Sequence, residues 1–343
     1  MPDVAVALSG GVDSSVAAAL LVEAGRDVVG VTMDLGLHAL GTGGDEVALA
    51  SRVCEVLGIP HVVIDLADAF RAEVVEPFAG AYAAGLTPNP CIRCNERIKF
   101  GALAERVRAL GAETLATGHY ARLVRDGGRT WLERAADRTK DQSYFLYRVP
   151  SFTFEMLEFP LGELTKVEVR AMAGERGLPT AERRESQEVC FTRDRVALVA
   201  AAHPEALEPG PIETADGTTL GTHRGMARYT VGQRKGLGVG GPEGPYRVVR
   251  IDARRNALIV APERATRSTR LVLADAIWET GATPGAVLAQ IRYRSQPLPA
   301  VAAPVPGGVE IEFQTLGEPL APGQSVVLYA GDRVVGGGIV PAG

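Results

Sequence analysis

The chain has 343 residues, of which 46% are hydrophobic and 22% charged, with a net charge of −5. That length exceeds one ordinary domain and predicts two or three, and the composition excludes disordered, collagen-like and disulfide-rich secreted classes. No apolar run approaches the roughly 20 residues of a membrane span, and Met1-Pro2-Asp3 enters "VAVAL" without a basic and then apolar leader, so a cytoplasmic chain with no membrane partner is expected.

The first half alternates between strand-like and helix-like segments. "DVAVAL" (3–8) reads as a buried strand. "DSSVAAALLVEAG" reads as a helix capped by Asp13 or Ser14 and stopped by Gly25. A second strand (27–33) follows, then a helix over 45–58 with Val47, Ala50, Cys54 and Leu57 on one face, and a third strand (61–66). Phe100, Leu103, Val107 and Leu110 repeat the helical spacing ahead of a fourth strand in "ETLATGHY". Strands alternating with helices predict a doubly wound, parallel α/β sheet, whose ligands bind at the carboxyl ends of its strands. A hairpin is predicted over 121–134, turning at Asp126-Gly127-Gly128. A further helix starts at Thr165, where Thr165 and Glu168 fit a capping box. Beyond about Pro204 glycine and proline become frequent, and short β-type runs appear: "YRVVRI", "NALIVA", "VLAQIRY", "VEIEF" and "SVVLYA". Two small mainly-β domains are expected there, giving boundaries of 1–203, 204–275 and 276–343.

"LSGGVDSS" (8–15) joins the first strand to the first helix. Gly10 and Gly11 let the backbone approach a ligand, the helix start offers unpaired N–H groups, and Ser9, Ser14 and Ser15 bring hydroxyls, which together make an anion cradle. It lacks the Gly-Lys-Ser/Thr ending of a Walker loop. From Arg224 to Arg270 eleven Lys or Arg face only Glu243, Asp252 and Glu263, a local basic surface suited to a phosphate backbone despite the net negative charge. The four cysteines, Cys54, Cys91, Cys94 and Cys190, are too few and too scattered for a disulfide framework. Cys91 and Cys94 form one close pair, and no second Cys-x-x-Cys or His-x₃₋₅-His exists to complete a structural zinc site. Cys54, on an apolar helix face, reads as a small buried hydrophobe.

"SGGVDSS" resembles the pyrophosphatase loop of ATP-dependent enzymes that adenylate an oxygen and release diphosphate. With "TPNPCIRCNERIKFG", "ATGHYAR", "KDQSYFLY", "SQEVCF", "GTHRGMARYTVGQRKGLG", "IRYRSQPLP" and "PGQSVVLYAGDRVVGGGIV" in that order, the chain resembles the tRNA 2-thiouridylase family from about Asp3 to Val340. The resemblance implies a nucleotide-binding domain, a small central domain and a C-terminal β-barrel, and ATP-dependent sulfur transfer to C2 of the wobble uridine of tRNA. ATP and Mg²⁺ are expected at Ala7, Leu8, Ser9, Gly10, Gly11, Val12, Asp13, Ser14, Met33 and Gly118. Contact with tRNA is expected at Asn89, Pro90, Cys91, His119, Lys140, Asp141, Gln142, Arg292, Tyr293 and Gln324.

In the family the position of Cys94 carries a nucleophile and that of Cys190 carries sulfur as a persulfide, supplied by a persulfide carrier or cysteine desulfurase. Either Cys94 releases hydrosulfide from that persulfide, or the persulfide attacks the base and Cys94 resolves the product; both routes end in a Cys94–Cys190 disulfide. Asp13 joins them as a catalytic residue acting through magnesium. Arg93, Arg97, Lys99 and Arg193 are expected to favour the thiolates. Many relatives carry Asp where this chain has Cys91, and the loop 34–44 is shorter than usual. Cys91, Cys94 and Cys190 together are also the ligand set of an iron–sulfur cluster in the alternative mechanism. A small-molecule ligase of the argininosuccinate-synthetase type shares the phosphate loop but has no use for the cysteines or the basic β half. A silent RNA- or metal-binding module has no use for the loop.

Overall fold

The structure, a computed structural model, describes residues 2–183, 189–240, 245–262, 269–315 and 320–342. Residues 186–188 of "SQEVCF", and Glu243, Glu263, Arg264 and Arg267 of the basic stretch, lie outside the described residues. The chain forms two compact units: residues 1–74, 91–193 and 332–334 in the first, and residues 75–90, 194–331 and 335–343 in the second.

The first unit is built on a parallel sheet of β1 (Val4–Ala7), β2 (Val28–Asp34), β3 (His61–Asp65), β4 (Thr114–Thr117) and β7 (Leu157–Glu158), in the order β3-β2-β1-β4-β7. Val4, Ala5 and Val6 have no exposed surface, as befits a strand covered on both faces. The helix Val12–Glu23 begins one residue after Gly11, which holds the cap position without a side-chain bond; Asp13 is therefore in its first turn and is not its cap. Its Ala18 and Leu21 pack on β1, while Val16 and Ala17 meet Val169 and Ala173 of the helix Lys166–Glu175. That second helix starts at the expected capping box, Thr165 accepting from Glu168 N and Glu168 reaching back to the Thr165 backbone. In the helix Glu46–Leu57, Ala50, Val53 and Cys54 are buried but Val47 is exposed, so its apolar face is shorter than its spacing predicts. Cys54 packs where a Cβ on Gly30 of β2 would sit. The hairpin β5 (Ala121–Asp126) and β6 (Arg129–Arg134) turns at Gly127 and Gly128.

In the second unit, β8 (Gly210–Thr214), β9 (Thr219–His223), β10 (Tyr246–Asp252) and β11 (Ala257–Pro262) form a sheet in the order β10-β11-β8-β9. The helices Glu76–Ala83 and Arg195–Ala202 pack beside one another, the Arg195 guanidinium lying over the Tyr82 ring at 4.5 Å. The barrel consists of β12 (Arg270–Trp278), β13 (Gly285–Gln290), β14 (Leu298–Val305), β15 (Gly308–Phe313), β16 (Ser325–Ala330) and β17 (Arg333–Ile339), and pairing of β12 with β17 closes it. Leu273, Ala289, Ile311, Val326 and Leu328 fill its core.

The point that fixes the first unit is Gly118, just past β4. A Cβ there would lie 2.6 Å from Ser14 N and 2.7 Å from Asp13 C, so only glycine lets the end of β4 touch the helix start. Gly118→Ala is expected to lower stability by about 1–3 kcal/mol, the range for overpacking, measured as a shift in urea midpoint; an unchanged midpoint would remove this contact as a constraint.

Candidate active site

The strand order changes direction between β1 and β4, and the loops leaving both strands emerge at the same edge of the parallel sheet. Ala7 ends β1, and Leu8, Ser9, Gly10 and Gly11 follow it; Met33 lies at the end of β2 and Gly118 just past β4. The residues expected to hold ATP are thus gathered at the carboxyl edge of one sheet. Gly10 has φ +67° and a Cβ there would meet the Glu46 backbone oxygen at 2.8 Å. Its carbonyl accepts from Arg183 Nη1 at 3.1 Å, while the same guanidinium pairs with Asp45 and Glu46 at 3.2 and 3.3 Å. The N–H groups of Val12, Asp13 and Ser14, in the first turn, face the loop. The hydroxyls contribute less than the sequence promises. Ser15 is buried and donates to the Gly11 carbonyl at 2.8 Å, and Ser14 donates to the same oxygen at 3.1 Å. Ser9 is the exposed hydroxyl of the loop.

Asp13 carries a set of contacts that sequence reasoning missed. Lys166 Nζ donates to its Oδ1 at 2.6 Å and its Oδ2 at 2.8 Å, and Tyr120 Oη donates to Oδ1 at 2.8 Å. Lys166 and Tyr120 are both buried. The capping box at Thr165 marks Lys166 as the first residue of its helix, but its partner is 153 residues away in sequence.

A second group surrounds the cysteines. Cys91 lies in the short helix Pro90–Arg93, and Cys94 opens a wide π-type turn, Cys94–Ala102, an uncommon geometry that often accompanies functional sites; a second such stretch, Arg71–Val75, lies outside the cysteine group. Asn95 Nδ2 donates to the Phe145 carbonyl at 3.1 Å and Arg148 clasps Glu96 through Nε at 3.0 Å, so this turn is held rigidly. All cysteines are free thiols. Burial is the largest influence on each of the three, pushing Cys94 up to about 11 and Cys190 up to about 12, and raising Cys91. Cys94 and Cys91 each raise Cys190, and Lys99 pulls all three down. Cys91 and Cys190 nevertheless expose surface; accessible thiols flanked by protein mass are desolvated without being sealed off.

The cation facing the thiols is Lys99. Arg93 is paired with Glu73 at 2.7 Å and Arg97 with Glu96 at 3.7 Å, while Arg193 is exposed. A cation lowers the thiols as expected, but the contribution comes from Lys99 and burial outweighs it. Among the described residues no three His, Cys, Asp or Glu side chains converge as a metal-holding group, so the thiols as placed do not form a cluster ligand set.

Lys99 Nζ lies 3.5 Å from His119 Nε2, and His119 Nδ1 lies 2.7 Å from Thr117 Oγ1. An ammonium only donates, so Nε2 accepts and Nδ1–H donates to Thr117. His119 is buried against Phe100 and Phe159, and desolvation, aided by Lys99, holds its pKa well below the usual histidine value. Both ring nitrogens are engaged within the unit, one of them by Lys99. Asp141 is likewise turned inward, accepting from Ala135 N and Ser143 N at 3.1 Å each and from Ser143 Oγ at 3.0 Å, and burial raises its pKa. Gln142 Oε1 accepts from Tyr120 N at 2.9 Å. Lys140 is part of the same turn.

Asn89 and Pro90 belong to the second unit, at its junction with Cys91. Arg292 and Tyr293 lie in the turn after β13, where Ser295 Oγ donates to the Arg292 carbonyl at 2.8 Å and Arg294 lies over the Tyr293 ring at 5.2 Å. Gln324 precedes β16, and its Oε1 is buried with no hydrogen-bond partner.

Comparison with known proteins places this geometry in a family. A family model described as the tRNA methyl transferase HUP domain matches residues 2–194, one described as the tRNA methyl transferase PRC-barrel domain matches 199–262, and one described as the aminomethyltransferase beta-barrel domain matches 268–340. A tRNA-specific 2-thiouridylase of Chloroflexus aurantiacus is 48% identical over 352 residues, spanning 98% of each chain. That of Chloroflexus aggregans is 49% identical over 352 residues with the same coverage, and that of Roseiflexus castenholzii is 44% identical over 367 residues, covering 98% of this chain and 99% of its own. A solved U34-tRNA thiolase from Methanococcus maripaludis, described with its 4Fe-4S cluster, covers 60% of this chain and 65% of its own at 18% identity and a TM-score of 0.37, a likeness too slight to bear on the site. No helix among the described residues is long and apolar enough to cross a membrane. The chain belongs to the tRNA-specific 2-thiouridylase family.

Proposed function

We propose that this protein replaces the C2 oxygen of the wobble uridine of tRNA with sulfur, using ATP to activate that oxygen. The observation that carries this reading is the pairing, within one unit, of a phosphate cradle at 8–14 with three thiols whose charges act on one another and share the cation Lys99. Neither methyl transfer nor a small-molecule ligase has a use for that combination. Residues 1–203 serve as the ATP-using catalytic domain; the boundary expected at 275 falls inside β12 and moves ahead of it, so 204–269 serve as the central domain and 270–343 as the tRNA-binding barrel.

A uracil C2 oxygen is a poor leaving group, and adenylation turns it into a good one. The loop N–H groups and the positive end of the helix Val12–Glu23 hold the phosphates and take up charge on the departing diphosphate. Asp13 keeps one carboxylate lone-pair position beyond its Lys166 and Tyr120 bonds, and is the residue to hold Mg²⁺ arriving with ATP, whose chemistry there is to neutralise diphosphate. Cys190 carries the sulfur as a persulfide loaded by a sulfur-donating partner, and Cys94 attacks or resolves it, leaving a Cys94–Cys190 disulfide for reduction. Lys99, held by His119, offsets the negative charge that forms on sulfur. Asn89, Pro90 and Cys91 face the base, and Lys140, Arg292, Tyr293 and Gln324 meet tRNA elsewhere; His119, Asp141 and Gln142 act by shaping the loops that carry these contacts.

The resting thiols are expected to be slow. With Cys94 pushed up to about 11 and Cys190 to about 12, alkylation by iodoacetamide should be sluggish at about pH 8 and rise steeply toward pH 11, against about 8.5 for a free cysteine. Because the folded chain resists losing these protons, stability is unaffected below about pH 8.5 and falls as pH climbs from there to the folded values. An alkylation rate that levels off below about pH 9 contradicts the burial argument.

Cys190→Ser and Cys94→Ser are each expected to release diphosphate from ATP in the presence of tRNA yet form no 2-thiouridine by nucleoside mass spectrometry. Cys91→Ser should keep most of the activity; loss as complete as in Cys94→Ser, together with loss of an anaerobic visible absorption band, would replace the persulfide route with the cluster.

Arg292→Glu should weaken tRNA binding and reduce the slope of log affinity against log salt by about 1 per lost phosphate contact. An unaltered slope takes Arg292 off the tRNA surface.

A further inference from the structure

The chemistry above gives Asp13 a function but none to its partners Lys166 and Tyr120. Lys166 is buried, as the first residue of its helix, and its ammonium spans both oxygens of Asp13 at 2.6 and 2.8 Å. Tyr120, two residues past Gly118, adds its hydroxyl at 2.8 Å and offers its ring to the same ammonium at 5.8 Å. Tyr120 is fixed in turn by reciprocal bonds with Gln142, Tyr120 N to Oε1 at 2.9 Å and Gln142 N to the Tyr120 carbonyl at 2.8 Å.

A buried lysine is costly unless its charge is matched, and here Asp13 matches it through both oxygens. Asp13 stands in the first turn of the helix whose N–H groups form the cradle. A bare carboxylate there would oppose the phosphates the cradle is built to hold, and would draw on the positive end of the helix. Lys166 cancels that charge from the side away from solvent, its side chain 9% exposed against 30% for Asp13. The first turns of two helices, of 12 and 10 residues, therefore meet at one neutralised carboxylate.

We infer that Lys166 is a positioning residue of the ATP site: it holds Asp13, with Tyr120, as a neutral pair, so that the loop 9–14 stays electropositive toward the ATP phosphates. The inference deepens the proposed function and rests on its assignment of the loop to ATP.

The test is calorimetric titration of ATP, with Mg²⁺ held constant and saturating, into the wild-type protein, Lys166→Met and Lys166→Arg. Lys166→Met exposes an unmatched carboxylate and should weaken ATP binding by about tenfold or more. Lys166→Arg restores the charge opposite Asp13 with a differently shaped side chain and should recover affinity to within about threefold of wild type. A lysine that serves only packing is not rescued by restored charge. Thermal unfolding accompanies each titration. Should Lys166→Met fail to fold, Lys166→Gln, which keeps a hydrogen-bond donor but no charge, takes its place: a folded protein that binds ATP about tenfold more weakly supports the inference, and wild-type affinity overturns it. Lys166→Met binding ATP as tightly as wild type overturns it as well. Wild-type protein that binds no ATP removes the functional reading and this inference with it, whereas wild-type binding with no effect of Lys166→Met removes the inference alone.

Discussion

The contact on which the site depends is the approach of Gly118 to the helix start at Asp13 and Ser14. A parallel sheet brings every strand's carboxyl end to one edge, but it does not set how closely the β4 end approaches the β1 loop. The missing Cβ does. Once Gly118 is seated, the two residues after it point to different chemistry. His119 turns to Lys99 and so toward the thiols, at 3.5 Å. Tyr120 turns to Asp13 and the phosphate loop, at 2.8 Å. Two consecutive side chains thus tie the thiol-bearing part of the unit to its glycine-rich loop, and a shift of that strand end would disturb both.

The thiols show which effect wins when burial and charge compete. Lys99 lowers all three, yet desolvation is larger and leaves Cys94 at about 11. At neutral pH roughly one Cys94 in ten thousand is then a thiolate. Such a cysteine reacts slowly with oxidants, whose target is the thiolate. Reactivity must be supplied by the reaction itself, through a persulfide, whose terminal sulfur is more acidic than a thiol, and through an activated carbon. In the functional reading adopted above, the driving force for sulfur transfer then comes from the activated carbon and the acidic persulfide sulfur, not from a resting thiolate.

The sequence made some of this legible and hid the rest for identifiable reasons. Local signals transferred well. The alternation of buried strands and helices located the parallel sheet, Gly127-Gly128 located the hairpin turn, and Thr165 with Glu168 located a helix start to the residue. Signals that depend on distant partners did not transfer. Lys166 looked like an ordinary first-turn lysine because its partner is 153 residues away. For His119 the sequence gives no sign that its ring meets Lys99 and Phe159 from other segments. Of the barrel strands, β14 carries two prolines and β17 three consecutive glycines, both of which read as loop. The glycines are required where β17 crosses β12: a Cβ on Gly336 would sit 2.4 Å from the Ile277 carbonyl oxygen, and one on Gly338 2.8 Å from Leu273 Cβ. Strand closure needs small residues at that crossing, and no window of sequence contains both strands.

Two lysines, each beside a residue of the site, illustrate how a partner decides what a charge can do. Lys166 meets a carboxylate through both oxygens, so its field is cancelled within a few ångströms and what remains is a neutral, rigid pair. Lys99 meets an imidazole that burial keeps uncharged. Its position is fixed but its charge is not spent, and it acts on Cys91, Cys94 and Cys190 together. Exchanging these partners would reverse the outcome. A carboxylate at 119 would cancel the field of Lys99 toward the thiols, and a neutral residue at 13 would leave Lys166 as an unmatched cation beside the loop 9–14. In the functional reading adopted above, a site that holds triphosphate, releases diphosphate and then supports negative sulfur uses one lysine of each kind.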